Sequence, residues 1–119
     1  MTEAALQKTV VSFLRTALRP YRGTVFVVPN NRSSRKVAGF KAGAPDVVFI
    51  VRGQTYGVEL KARKGVLSDD QKAVHAAWRD AGAEVFVARD LETVEGIVAA
   101  LRAGRVRDDV VARETVGAG

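Results

Sequence analysis

The sequence predicts an α/β fold: a small mixed β-sheet flanked by helices. Three observations carry that expectation. Apolar residues recur at helical spacing in three separate stretches, near residues 6–18, 74–81 and 94–101. Short β-branched or apolar runs of strand length lie between them, at 24–28, 46–51, 55–61 and 84–88. The order is helix, strand, hairpin, helix, strand, helix, and the strand–helix–strand passage from 55–61 to 84–88 reads as a right-handed crossover between parallel strands.

Each element follows from its residues. Thr2 is a helix cap and Glu3 an acid in the first turn, where the helix dipole favours one. Leu6, Val10, Phe13, Leu14, Ala17 and Leu18 form the inward face, and Arg19-Pro20 ends the helix. Glu3 and Gln7, one turn apart, share a face. Thr24 to Val28 is a strand stopped by Pro29. The run 46–51 is continuously apolar after Asp46, which predicts burial on both faces. Arg52-Gly53-Gln54 supplies the turn to the strand 55–61. Ser68 followed three residues later by Gln71 makes a capping box, with Asp69 and Asp70 in the first turn. Val74, Ala77, Trp78 and Ala81 form the expected buried face of that helix, and Gly82 its terminator. Asp90 caps a last helix with Val94, Ile97, Val98 and Leu101 inward, ending at Gly104. Residues 105–119 form a tail, a short helix or a frayed end.

A chain of 119 residues fits one domain. It contains no cysteine, which excludes disulfides and thiolate metal sites. No apolar run approaches a membrane span and no signal-peptide pattern is present, so a cytoplasmic protein is expected. The net charge of +6 is uneven. Residues 1–64 hold 12 Lys and Arg against 3 acids, a net of +9, whereas residues 65–119 hold 7 against 10, a net of −3. The basic half points to a polyanionic partner. Its three acids are Glu3, Asp46 and Glu59. Residues 30–43 are poor in apolar side chains and contain Arg32, Arg35, Lys36 and Lys41 with two serines. These are phosphate-contacting types, and with Lys64 they form the expected nucleic-acid contacts.

The candidate chemistry lies in the hairpin. Glu59 and Lys61, two apart in a strand, project to one face while Leu60 points to the other. Asp46, at the start of the neighbouring strand, falls next to Glu59. Two carboxylates and an amine at one end of a sheet are costly to hold together, and a hard divalent cation such as Mg²⁺ would account for them. Plainer readings stand beside this one. Asp46 after proline suits a turn, Glu59 and Lys61 suit an exposed ion pair, and Glu3 suits a first-turn acid. Gln71 has a capping-box role that competes with a site role. His75, one turn beyond Gln71, reads as a partly exposed helix position, and Trp78 as helix core rather than a base-stacking platform.

The pattern Pro45-Asp46 with Glu59-Leu60-Lys61 resembles the PD-(D/E)XK nuclease signature, which implies a restriction-endonuclease-like core. The wider set of Glu3 with Gln7, Pro29-Asn30, Gly43-Ala44-Pro45-Asp46, Val58-Glu59-Leu60-Lys61 and Leu67-Ser68-Asp69-Asp70-Gln71 resembles VRR-NUC domains, over about residues 2–100. It is similar to the stand-alone members found in bacteria and their phages. The resemblance implies a VRR-NUC domain over residues 1–104, Mg²⁺ or Mn²⁺ as cofactor, branched DNA as substrate and a homodimer similar in role to four-way (Holliday) junction resolvases. It further implies that Asp46, Glu59 and the Leu60 carbonyl bind the metal, with Glu3 acting through a water or a second ion. Lys61 would orient the attacking water or stabilise charge on the phosphate, and Gln71 would line the site. A flap- or restriction-like nuclease and a catalytically silent DNA-binding module remain as alternatives.

Overall fold

The computed structural model describes residues 1–29 and 42–104. The expected phosphate contacts Arg32, Arg35, Lys36 and Lys41 and the tail 105–119 lie outside the described residues. The chain divides into two compact units, Met1–Arg89 and Asp90–Gly119.

The first unit begins with helix α1, Glu3–Ala17. The Thr2 hydroxyl accepts the Ala5 N–H at 3.0 Å, as its cap position predicts. Leu6, Val10, Val11, Leu14 and Ala17 are buried, as is the capping residue Leu18. Pro20 sits in a single 3₁₀ turn, Arg19–Tyr21, so the helix ends where expected. Strand β1, Thr24–Val27, pairs antiparallel with β2, Val47–Val51, and the Val28 N–H extends the ladder to the Asp46 carbonyl at 2.9 Å.

A two-residue turn, Arg52-Gly53, joins β2 to β3, Gln54–Leu60. Both turn residues have positive φ, 52° and 78°, the geometry that matches the twist of a hairpin. The Arg52 guanidinium lies 5.0 Å from the centre of the Tyr21 ring. Helix α2, Asp69–Asp80, returns the chain to β4, Glu84–Ala88, which runs parallel to β3. The sheet order is β1-β2-β3-β4. It is the mixed sheet that the sequence predicts.

Register decides what faces what. Val27, Val47 and Val58 stand in one row, with Leu60 on the same side, toward α1. Val48, Gly57 and Glu59 take the opposite face, toward α2. The core between α1 and the sheet holds Phe49 and Tyr56, with ring centres 4.8 Å apart and nearly parallel planes.

Two burial expectations are corrected. In β2, Ile50 is 36% exposed although β2 lies between β1 and β3: it sits near the hairpin end of the sheet, between Thr24 and Thr55, on the face opposite Phe49 and Val51. In α2, Ala77 and Ala81 are exposed and Trp78 is only half-buried. The helix rests on the sheet through Val74, His75 and Trp78, so its inward stripe is rotated away from positions 77 and 81.

In the second unit, α3 spans Leu91–Arg102. Asp90 caps it through Oδ1, which accepts the Thr93 N–H at 2.9 Å and the Thr93 hydroxyl at 2.7 Å. Those bonds lower the Asp90 pKa. Val94, Ile97, Val98 and Leu101 are buried, the four positions that the helical spacing selects.

Candidate active site

The β2–β3 register brings the two carboxylates together. Val47 pairs with Val58, so one step further Asp46 stands opposite Glu59. The approach to Asp46 depends on Gly43. Its φ is +95°, and a Cβ there would lie 2.6 Å from the Asp70 carbonyl group, so the segment before Asp46 can pass this close to the start of α2 only with glycine. Asp46 Oδ2 accepts the Leu60 N–H at 2.8 Å, which fixes the carboxylate against the end of β3.

Glu59 is 2% exposed, a rare position for a carboxylate. Two side chains from α2 hold it. Gln71 Nε2 donates to Oε2 at 3.1 Å, and His75 Nε2 lies 3.2 Å from Oε1. Burial, and then the neighbouring Asp46, push the Glu59 pKa up to about 9, while Lys61 opposes the shift. Burial lowers the His75 pKa, with Arg79 adding to the effect. Glu59 and His75 are therefore neutral partners in the metal-free protein at pH 7, not an ion pair. His75 Nδ1 is buried without a hydrogen-bond partner, the one such side-chain atom among the described residues.

The capping box and the contact with Glu59, which the sequence sets in competition, use different atoms of Gln71. The Ser68 N–H can only donate, and it meets Gln71 Oε1 at 2.9 Å, while the Gln71 N–H meets Ser68 Oγ at 3.1 Å. That completes the capping box and leaves the amide nitrogen for Glu59. The expectation for His75 is corrected: it is fully buried, because β3 sets Glu59 directly beneath it.

Beyond Leu60 the chain is clamped from two sides. Glu3 Oε1 accepts the Ala62 N–H at 2.9 Å. Arg89 Nη1 donates to the carbonyls of Ala62 at 2.9 Å and Gly65 at 2.6 Å. Lys61 thus leaves a strand end whose backbone is fixed on both flanks, with its own N–H bonded to the Ala88 carbonyl at 3.1 Å. Arg89 has no counterpart among the sequence candidates, because its partners are carbonyls and carry no residue-type signal. Lys64 is exposed in the clamped turn.

A groove of about 420 Å³ opens over Asp46. Glu3, Asp46 and Leu60 line it, with Gln7 and Pro29. Glu3 shares the groove with Asp46, yet among the described residues no group of three or more His, Asp or Glu side chains is arranged to hold a metal ion. Asp46 and Glu59 are the carboxylates that meet.

The same architecture occurs in solved structures. One described as a VRR_NUC domain matches with a TM-score of 0.62 at 25% identity, over 82% of this chain and 94% of that one. The chain is built on the VRR-NUC fold. A second structure, a VRR_NUC domain protein, matches with a TM-score of 0.65 at 20% identity, over 83% of this chain and 86% of the other. A looser likeness, TM-score 0.48 at 23% identity, joins 71% of this chain to 64% of Hjc, a Holliday junction resolvase of the archaeal hyperthermophile Archaeoglobus fulgidus. No family model matches the chain, and no curated protein matches it. The VRR-NUC fold is restriction-endonuclease-like, and in this chain Asp46 and Glu59-Leu60-Lys61 lie at neighbouring ends of its two central strands. Among the described residues no helix is long and apolar enough to cross a membrane.

Proposed function

We propose that this chain is a metal-dependent endonuclease that hydrolyses phosphodiester bonds in branched DNA, as a four-way junction resolvase acting as a homodimer. One observation carries the reading. Glu59 is a buried carboxyl group beside a second carboxyl, Asp46, and the side chains of α2 that hold it, Gln71 and His75, are neutral, so once ionised it would have no bonded counter-ion among the described residues. That donor set suits Mg²⁺ or Mn²⁺, which take oxygen ligands. Asp46, Glu59 and the Leu60 carbonyl would hold the ion, with Glu3 beside them. Bound there, the cation would supply a hydroxide nucleophile near neutral pH and neutralise charge on the phosphate.

The chain's own groups do the rest. Gln71 and His75 fix the orientation of the Glu59 carboxylate, and Leu60 N–H fixes that of Asp46. Lys61, projecting from the clamped strand end, orients the attacking water or meets the charge that builds on the phosphate. A homodimer would carry two such centres and suit paired cuts across a symmetric junction. The 1–104 nuclease domain and a basic contact surface that includes Arg32, Arg35, Lys36, Lys41 and Lys64 are parts of the same proposal.

The test is cleavage of a four-way junction, a flap and a linear duplex in Mg²⁺, with Asp46→Asn beside the wild type. Paired cuts in the junction, lost in Asp46→Asn, support the reading. Preferential cutting of flap or duplex replaces the substrate assignment. Binding that persists in EDTA without cleavage under any divalent ion makes the protein a silent DNA-binding module.

A further inference from the structure

A second groove, of about 460 Å³, runs between α1 and the end of β1. It continues the groove over Asp46: Ala4, Gln7 and Val27 line both. The added wall is one face of α1. Lys8, Ser12, Arg15 and Thr16 recur at helical spacing, all exposed, over the apolar Val11 and Val27. Among the described residues neither Lys8 nor Arg15 has a carboxylate partner. The only acid on α1 is Glu3, at the active-site end. The helix is therefore acidic where it meets the candidate metal centre and basic along the groove that leads away from it.

We propose that this groove is a DNA track: the strand that leaves the Asp46 and Glu59 centre runs along α1, its phosphates held by Lys8 and Arg15. The inference rests on the nuclease reading of that centre and extends it to the path of the substrate. Charge complementarity selects the occupant. Two cations unpaired among the described residues, with two hydroxyls between and beside them, are the side chains that bind phosphates. Spacing agrees. Lys8 and Arg15 are seven residues apart, about 10 Å along a helix, which spans roughly three nucleotide steps of a stacked strand at about 3.4 Å each.

The experiment uses the full chain and a four-way junction in EDTA, with affinity measured by fluorescence anisotropy across a salt series. The double variant Lys8→Ala with Arg15→Ala is expected to bind about tenfold more weakly, with the slope of log affinity against log salt smaller by about 1.5. Cross-linking adds a positional readout. The protein has no cysteine, so Ser12→Cys carries a single photo-cross-linker. It should join nucleotides within about three steps of the scissile phosphate on the cut strand. Wild-type affinity and slope in the double variant, or cross-links only elsewhere, overturn the track. The two readings fail separately. If the wild type cuts the junction and the double variant binds as tightly as it does, the track is wrong and the nuclease stands. If nothing is cut under any divalent ion but the slope falls, Lys8 and Arg15 are DNA contacts and the nuclease reading is wrong.

Discussion

The two helices that border the centre treat charge in opposite ways. On the α2 side, Glu59 and His75 are buried, and each Glu59 oxygen meets one neutral side chain. On the α1 side, Lys8 and Arg15 are exposed and without a carboxylate partner among the described residues. The contrast separates two tasks. A ligand set must be fixed to a fraction of an ångström, which takes burial and bonded partners. A polyanion is held by charge that remains available, and fixed pairs would cancel it. On the proposed reading, the α2 wall sets the geometry of the ligands and the α1 wall the affinity for DNA.

Substitutions at the centre itself should show the largest effect. Asp46→Asn takes cleavage below detection, and Lys61→Ala lowers the rate by about 10²–10³. Both keep the wild-type melting temperature within a few degrees and retain junction binding. Wild-type cleavage by either variant would remove the site. Next come the α2 groups. His75→Ala is expected to weaken Mn²⁺ binding about 10–100-fold and cleavage with it, while His75→Gln, which retains a side-chain N–H, recovers most of both. The Lys8 and Arg15 variants should leave the Mn²⁺ isotherm unchanged. If they moved it as much as His75→Ala does, the division between the two walls would collapse.

The smallest effect expected is on stability. The folded-state pKa of Glu59, about 9, lies above its ordinary 4.5. Between those values the folded protein keeps a proton that the unfolded chain has lost. This contribution is fully present below about pH 4.5 and declines as pH rises toward 9. Above pH 7, where the lowered His75 pKa leaves that ring neutral in both states, metal-free wild type should lose melting temperature with rising pH. Glu59→Gln mimics the protonated acid and should melt about 5 °C above wild type at pH 8.5 in EDTA. Equal melting temperatures across pH 7–9 would show that Glu59 is not forced to hold its proton.

Much of this was legible in the sequence, for identifiable reasons. Strand period and a short turn bring Asp46 close to Glu59, but the exact pairing comes from a turn of two residues, Arg52-Gly53, where the sequence predicts three; a three-residue turn would set Asp46 opposite Leu60. Thr2, Ser68 and Asp90 cap as their positions predict, since a cap is local chemistry. Contacts across the fold were harder to read. Gln71 looked forced to choose between cap and site, yet its amide carries an acceptor for one and a donor for the other. His75 looked exposed because helical period alone cannot say that a buried carboxylate lies beneath it. Ala77 and Ala81 looked buried because period fixes the width of a stripe and not its rotation on the sheet. The Arg89 clamp bonds only to backbone carbonyls, and backbone atoms are the same in every sequence.

The most direct test is crystallographic. Crystals soaked in Mn²⁺ should show an anomalous peak within coordination distance of Asp46 and Glu59, absent in Asp46→Asn crystals treated identically. No peak at that position in the wild type, at Mn²⁺ concentrations that support cleavage, would contradict the account.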